Sequence, residues 1–286
     1  MKWKLGIAFV VVFLLFALSK GSTHRRQAVV VEKLGARVVH LTTREHIGAG
    51  DAPVKAVVET ATPLTPGRVR LYYKIGTKGT LCWASMERIA ASDTFVGVLP
   101  HQEKGRRAYY YLQVETLQGQ VVTLPDAQVP GNKSILLKFK GVVNPFVTIG
   151  HVLCMFAAVF VLLAAFFYAF DVLNGKRSVH QALRPILWAL LFLFIGGFPL
   201  GWVMNAQTFG APWWEAFPFG WDITDNKTQL VFLYWIMVLI LVYRSLFTKD
   251  STRDLIHPKL FAWLTVLGTF LTLGIYLIPH SLSLSG

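Results

Sequence analysis

The sequence predicts a membrane protein with an N-terminal signal or anchor helix, an exported all-β sandwich and a C-terminal four-helix transmembrane bundle. The 286 residues are 54% hydrophobic and only 15% charged, with a mean hydropathy of +0.49, which is too apolar for an ordinary soluble domain of this size. Residues 20–140 hold 18 of the 28 Lys/Arg and 9 of the 15 Asp/Glu. Long uncharged runs fill most of the remaining chain, and these are compatible with a bilayer.

Residues 1–19 form a short apolar segment behind two lysines, Lys2 and Lys4. The run is shorter than the roughly 20 residues of a spanning helix and fits the core of a signal peptide with a small-x-small cleavage site. An uncleaved anchor is the alternative, which Lys20 favours by coming directly after the run. Either interpretation exports the domain that comes next in the chain. Residues 20–52 are polar and basic and predict a linker with at most one strand, 37–42, in which His40 is solvated.

Residues 53–140 predict a β-sandwich. Short β-branched and aromatic runs are separated by Gly, Pro, Asp or Asn, a pattern typical of strands joined by turns. Residues 117–120 (LQGQ) predict a hairpin turn. The predicted strands are 54–60, 68–75, 81–86, 94–99, 107–115, 120–124 and 135–139. Six or seven short strands in about 90 residues favour two packed antiparallel sheets.

Within this region, residues 57–125 resemble immunoglobulin-like or fibronectin-III-like domains of bacterial surface proteins. The resemblance consists of RVRLYYKIG, a Trp-containing strand, GVLP, the strand RAYYYLQVET, a Gly hairpin and a closing strand. It covers about a quarter of the chain and lacks the disulfide of antibody-type domains. It implies a role in binding or spacing, since function resides in sites rather than in the fold. Trp83, Tyr72 and Tyr110 are the predicted core aromatics.

Residues 145–280 predict four membrane crossings. The crossings are 146–170, 186–206, 229–246 and 260–278. Asn144 before Pro145 is suited to cap the first of them. Gly150, Cys154 and Ala158 recur every four residues, which favours close helix contact. Pro199 predicts a kink, and Asn226 predicts the cap of the third crossing.

The distribution of lysine and arginine predicts the orientation. The N-terminus and the two loops 171–185 and 244–259 carry the basic residues, whereas the connection 207–227 carries only Lys227. Short Lys/Arg-rich loops stay in the cytoplasm. We therefore predict a multi-pass protein of the bacterial inner membrane. Its N-terminus is cytoplasmic if the anchor is retained, and its β-domain, aromatic connection and C-terminus are extracytoplasmic.

Two pairs of histidines raise the alternative of a cofactor site. The predicted topology brings His151 and His280 near the outer face of the membrane domain, and His180 and His257 near the inner face. A helical bundle with paired axial histidines is the arrangement of a b-type haem protein. His280 follows a proline at a helix exit, and only His151 lies well inside a helix. Haem b is therefore the alternative, and a buried His151 bonded to a neighbouring helix is the preferred interpretation.

The connection between the second and third crossings of the bundle predicts an interaction surface. Its candidate residues are aromatic or charged: Trp213, Trp214, Phe217, Phe219, Trp221, Asp222, Asp225 and Lys227. Such rings favour either a membrane–water interface or a docking patch for a partner or a quinone-like ligand. The two carboxylates also allow a cation or proton pathway, although helix capping explains acidic residues at a helix start equally well.

The sequence favours a non-enzymatic role. It contains no catalytic constellation and no metal-ligand spacing, and Cys82 and Cys154, predicted as small buried residues, have no CxxC partner. The basic domain lies between membrane segments and carries no nucleic-acid-binding motif, which excludes nucleic acid as the partner. We predict an accessory or assembly subunit of a bacterial envelope complex, in contact with other membrane subunits and the bilayer. The alternatives are an electron-transfer subunit with haem b and a component of ion or proton translocation.

Overall fold

A computed structural model of the chain describes residues 2–22, 27–60, 64, 67–90, 92–126, 128, 131, 133–210 and 215–278. These residues form two compact units, one of β-sheets and one of helices. Among them, three helices are long and apolar enough to cross a membrane: Pro145–Leu173, Val179–Phe209 and Pro258–Leu277. The protein therefore combines a β-rich region with membrane-compatible helices.

The β unit contains eleven strands among the described residues. In chain order they are β1 Gln27–Lys33, β2 Ala36–Thr42, β3 Glu45–Ile47, β4 Ala52–Thr60, β5 Val69–Ile75, β6 Cys82–Ser85, β7 Glu87–Arg88, β8 Thr94–Leu99, β9 Arg107–Glu115, β10 Val121–Leu124 and β11 Ile135–Lys140. One sheet has the order β1-β2-β4-β8-β7 and the other β3-β11-β9-β5-β6, with β10 paired to β9. All pairs are antiparallel except β11 with β3.

Both sheets contribute to one apolar core. Buried and exposed residues alternate along β2, β4 and β9, as the two-residue period of a strand requires when one face is covered. Val38 and Val58 come from one sheet, and Leu71 and Leu112 from the other. The predicted hairpin is also present: Gly119 has a positive φ of 78°, and its N–H donates to the Thr116 carbonyl at 2.9 Å.

The predicted linker 20–52 has to be corrected, because residues 27–47 form three strands of the two sheets. β1 and β2 pair through a hairpin whose two turn residues, Leu34 and Gly35, have φ of 54° and 73°. This backbone suits Asn-Gly or Asp-Gly, so Leu-Gly hides the turn from sequence inspection. His40, predicted to be solvated, lies in the core at 2% exposure.

The aromatic core predictions have mixed outcomes. Tyr110 is buried as predicted. Trp83 is 58% exposed on the edge strand β6, where the Arg70 guanidinium lies 5.4 Å from its ring centroid. Tyr72 is half-buried and stacks on Tyr111 with 5.0 Å between ring centroids. Trp83 and Tyr72 alternate along their strands with the residues that face the core, so their side chains point to the opposite face. The two-residue period of a strand, rather than the size of the residue, decides which face each side chain occupies.

The β unit also includes residues 206–210. The Gly141 N–H donates to the Thr208 carbonyl at 2.9 Å, and the Lys104 ammonium donates to the Ala206 carbonyl at 2.8 Å. A Cβ on Gly105 would lie 2.2 Å from the carbonyl oxygen of Phe209. This approach requires glycine there because any side chain would collide with backbone.

The described residues contain six α-helices. They are α1 Lys2–Ser22, α2 Pro145–Leu173, α3 Val179–Ile195, α4 Gly201–Phe209, α5 Ile223–Leu241 and α6 Pro258–Leu277. All belong to the helical unit except the last four residues of α4, which belong to the β unit. A π-helical turn, Gly196–Leu200, joins α3 to α4, and 3₁₀ turns at Tyr243–Leu246 and Ser251–Arg253 lie between α5 and α6. α1 and α5 are not among the three spanning candidates, and the apolar part of α1 is the shorter stretch Trp3–Leu18. Of the four crossings predicted for the bundle, 229–246 is therefore the one that has no counterpart among these candidates.

The start signals of the helices explain several boundaries. The Asn144 side chain accepts from the Phe146 N–H, as predicted, and Pro145 occupies the first turn. α3 begins at Val179 rather than 186 because Ser178 and Gln181 form a capping box. The prediction for Asn226 was wrong: Asp222 caps α5, and Asn226 lies inside its first turns.

Small residues allow close approach of the helices. A Cβ on Gly196 would lie 2.8 Å from the Cβ of Cys154, so the predicted small-residue stripe on α2 lies against the π turn at this residue. A Cβ on Gly268 of α6 would lie 2.2 Å from a ring carbon of Tyr234 on α5. Packing of this kind is the main force between membrane helices, since lipid is as apolar as the side chains it replaces.

Candidate functional site

The residues from Glu215 to Asp222 form an aromatic turn before α5. Three of its side chains are exposed, Trp221 by 82%, Phe219 by 68% and Phe217 by 56%. The rings of Phe217 and Trp221 lie 5.8 Å apart. Phe217 and Trp221 therefore lie side by side, and Phe219 is exposed in the same turn, whereas Trp213 and Trp214 lie outside the described residues.

Hydrogen bonds to the start of α5 hold the backbone of this aromatic turn. The Asp225 carboxylate accepts from the Glu215 N–H at 2.8 Å, and the side-chain Oδ1 of Asn226 accepts from the Phe217 N–H at 3.1 Å. The Gln229 amide donates to the Phe217 carbonyl at 3.0 Å. A Cβ on Gly220 would lie 2.6 Å from the Glu215 carbonyl oxygen. The exposed rings thus stand on a backbone of fixed shape.

The charged residues of the predicted interface have separate roles. Asp222 caps α5, its Oδ1 accepting from the N–H groups of Thr224 and Asp225 at 2.8 and 3.0 Å. Asp225 is half-buried, and this burial raises the pKa of its carboxyl to about 6. Lys227 points elsewhere, donating to the Ile278 carbonyl at the end of α6 at 2.8 Å.

His151 on α2 bonds to the π turn. Its Nδ1 lies 2.8 Å from the Gly196 carbonyl oxygen. Because a carbonyl only accepts, Nδ1 carries the proton, and Nε2 of the neutral ring is left as an acceptor. The same carbonyl also accepts from the Gly201 N–H, which closes the π turn. This geometry agrees with a buried histidine that is bonded to a neighbouring helix.

A cavity of about 240 Å³ lies beside His151 within the helical unit. Most of its wall is apolar and comes from α1, α2, α5 and α6, including Leu15, Val152, Met155, Phe156, Val231 and Ile275. Its polar groups include the imidazole of His151, the ammonium of Lys227 and the hydroxyls of Thr224 and Tyr276. An apolar cavity with a few convergent polar groups is the usual form of a small-molecule site.

The cavity beside His151 is small for a haem. Its volume lies below the roughly 300–1,000 Å³ of sites for drug-sized ligands, and a porphyrin is at least of that size class. The predicted second ligand, His280, lies outside the described residues. His180 and His257 are engaged elsewhere, with the Ser245 carbonyl and the Lys259 N–H respectively.

The β unit contains a buried polar pair that sequence inspection missed. His40 Nε2 lies 2.7 Å from the Tyr110 hydroxyl, and His40 Nδ1 lies 2.6 Å from the Lys55 carbonyl. Burial lowers the pKa of His40 and raises that of Tyr110. The ring is therefore neutral, with Nδ1–H donating to the carbonyl and Nε2 accepting from the tyrosine. Both partners are satisfied, so this pair is a structural element of the core.

The described residues contain no group of three or more His, Cys, Asp or Glu side chains arranged to hold a metal ion. Cys82 is exposed, contrary to the prediction, and Cys154 is half-buried. The cavity had no sequence signal of its own, because its lining comes from five helices that are distant in the chain.

Neither the models of known protein families nor the curated proteins match this chain.

Proposed function

We propose that the protein is a non-enzymatic accessory or assembly subunit of a bacterial envelope complex, and that its aromatic turn docks on another membrane protein. The observation that carries this proposal is the combination of exposure and rigidity at Phe217, Phe219 and Trp221. Rigid aromatic side chains lose little conformational entropy on binding and are enriched among the residues that contribute most to interfaces.

A membrane–water interface is the competing partner for these rings. A ring that only anchors a helix in the headgroup layer needs no particular backbone conformation. Here three side chains and one glycine fix the backbone of the eight residues 215–222. Such preorganisation increases the affinity of a specific protein contact, because less conformational entropy is lost on binding. The β region resembles immunoglobulin-like or fibronectin-III-like domains, which supports a second contact surface, on the β unit, for an exported partner.

Photocrosslinking in cells tests the docking of the aromatic turn. A photoreactive amino acid replaces Trp221, and the control replaces Trp188 on α3, which is also exposed, by 57%, but lies in a candidate spanning helix. We expect one discrete protein adduct at position 221 and only lipid adducts at 188. Lipid adducts alone at both positions would reject the docking proposal and leave membrane anchoring.

We further propose that the β unit is extracytoplasmic and the chain is multi-pass, with the inside loops identified by their lysine and arginine content. Cys82 offers a native reporter, since its thiol is exposed. A membrane-impermeant maleimide should label Cys82 in spheroplasts without lysis. In a Cys82→Ser background, the thiol introduced by Lys176→Cys should react only after lysis. Labelling in the reverse order would invert the orientation.

The electron-transfer alternative has a direct spectroscopic test. A reduced-minus-oxidised visible spectrum of protein expressed with ample haem should be featureless, whereas a sharp α-band lost in His151→Ala would establish the electron-transfer alternative. Translocation through Asp222 or Asp225 has weaker support, since both carboxylates are engaged with backbone N–H groups.

A further inference from the structure

The cavity beside His151 carries an inference that is independent of the docking proposal. Its polar groups offer a defined pattern of donors and acceptors. The Lys227 ammonium uses one of its three N–H groups on the Ile278 carbonyl, which leaves two N–H groups without a hydrogen bond to a described residue. His151 contributes Nε2 as an acceptor, because Nδ1 is engaged with Gly196. Tyr276 donates its hydroxyl hydrogen to the Met155 carbonyl at 3.1 Å, so its oxygen retains acceptor capacity.

Charge points to an anionic ligand. Lys227 is the one formally charged side chain in the described lining of the cavity, and no ion pair joins it to a described carboxylate. Asp222 lies near enough to interact with Lys227 electrostatically, but its Oδ1 caps two N–H groups of α5. Removing an ammonium group from water costs free energy unless an opposite charge lies nearby, and Lys227 is half-buried among apolar walls. An anion that enters the cavity would supply this opposite charge.

The apolar walls and the modest volume point to a membrane amphiphile. Val152, Met155 and Phe156 follow one another along α2, and Val231 and Ile275 contribute from α5 and α6. A cavity of about 240 Å³ holds a headgroup and the beginning of a chain, not a complete two-chain lipid. The remaining chain length is accommodated in the surrounding bilayer.

We propose that this cavity binds the head of an anionic, hydroxyl-bearing lipid, with an anionic oxygen on Lys227 and a hydroxyl that donates to Nε2 of His151. Phosphatidylglycerol has this chemistry, with one phosphodiester charge and free glycerol hydroxyls. Phosphatidic acid keeps the anion without the head hydroxyls. Phosphatidylethanolamine carries an ammonium that Lys227 repels.

Native mass spectrometry of the delipidated full-length protein in mild detergent tests the proposal. We expect the first bound phosphatidylglycerol to bind about ten times more tightly than phosphatidylethanolamine and a few times more tightly than phosphatidic acid. Equal affinity for phosphatidylglycerol and phosphatidylethanolamine would overturn the proposal. Glycerol 3-phosphate distinguishes a free anion from a lipid, since equal binding of the soluble head would refute a role for the bilayer.

Three variants locate the binding at the cavity. Lys227→Gln should weaken phosphatidylglycerol about tenfold, and Lys227→Arg should retain it because the charge is kept. Lys259→Gln, at the start of α6, removes a lysine outside the cavity and should change nothing. Unchanged affinity in Lys227→Gln would refute the site.

Val152→Phe provides a second test that leaves the headgroup contacts intact. The larger side chain fills part of the cavity and should displace the lipid while the melting curve without lipid is preserved. If Lys227→Gln proves unstable, this variant decides the question, and full retention of binding in Val152→Phe would refute the proposal.

Discussion

Replacing Tyr110 by Phe tests how the buried pair stabilises the β unit. Tyr110 is 1% and His40 2% exposed, so loss of the hydroxyl leaves Nε2 of His40 without a donor and without water. An orphaned buried acceptor costs roughly 1–3 kcal/mol. The ring itself remains in the core, so no cavity forms. We expect a loss of about 2 kcal/mol in the free energy of unfolding of the β unit.

Amide hydrogen exchange of the intact protein in detergent measures this loss where it occurs. A loss of about 2 kcal/mol lowers the protection of the slowest amides in β4 and β9 by roughly 30-fold. Tyr109→Phe is the matched control, because this neighbouring ring is only half-buried and its hydroxyl has no hydrogen bond to a described residue. Equal protection in Tyr110→Phe and the control would refute the argument that the pair is a satisfied, desolvated hydrogen bond.

Three further predictions concern pH and packing. Because burial lowers the pKa of His40, the unfolded chain binds a proton at this histidine at a higher pH than the folded chain does. The free energy of unfolding of the β unit should therefore fall below about pH 6.5, by up to ~1.4 kcal/mol per pH unit, and amide exchange rates compared with those of His40→Gln isolate this contribution. Gly268→Ala should destabilise the helical unit by about 1–3 kcal/mol through overpacking, whereas Gly274→Ala, with open space around it, should be neutral in thermal unfolding. With its pKa raised to about 6, Asp225 holds a proton that the unfolded chain releases above about pH 4. Asp225→Asn should therefore raise the free energy of unfolding at pH 8 by about 1 kcal/mol after solvent screening, and the melting temperature with it, but should raise neither at pH 4. Asp222→Ala should lower the melting temperature at both pH values.

Periodicity made much of the fold predictable. The strands β4, β5, β8 and β9 lie close to their predicted ranges, because alternation and β-branched composition both indicate a half-buried strand. The uncharged apolar runs likewise indicate the spanning candidates. Both signals are local, because each depends only on whether one helix or strand faces the protein core, lipid or water.

The errors arise where tertiary context decides between equivalent local options. Asp222 and Asn226 are both good caps, and the choice between them depends on how the aromatic turn returns to α5. His40 resembles a solvated residue in sequence because its partner Tyr110 lies 70 residues away. Trp83 was predicted as a core aromatic, but its strand lies at the edge of a sheet.

The first turns of α5 connect the aromatic turn with the cavity beside His151. Asp225 and Asn226 bond the backbone of the aromatic turn, while Thr224 and Lys227 line the cavity. The helix therefore divides its polar residues between the turn that we propose to bind a protein and the cavity that we propose to bind a lipid. Because the two sets share one backbone, a lipid that fixes Lys227 also restrains the helix on which the aromatic turn depends. Lipid binding should then reduce amide exchange in residues 215–222 of the full-length protein, and this protection should be absent in Lys227→Gln.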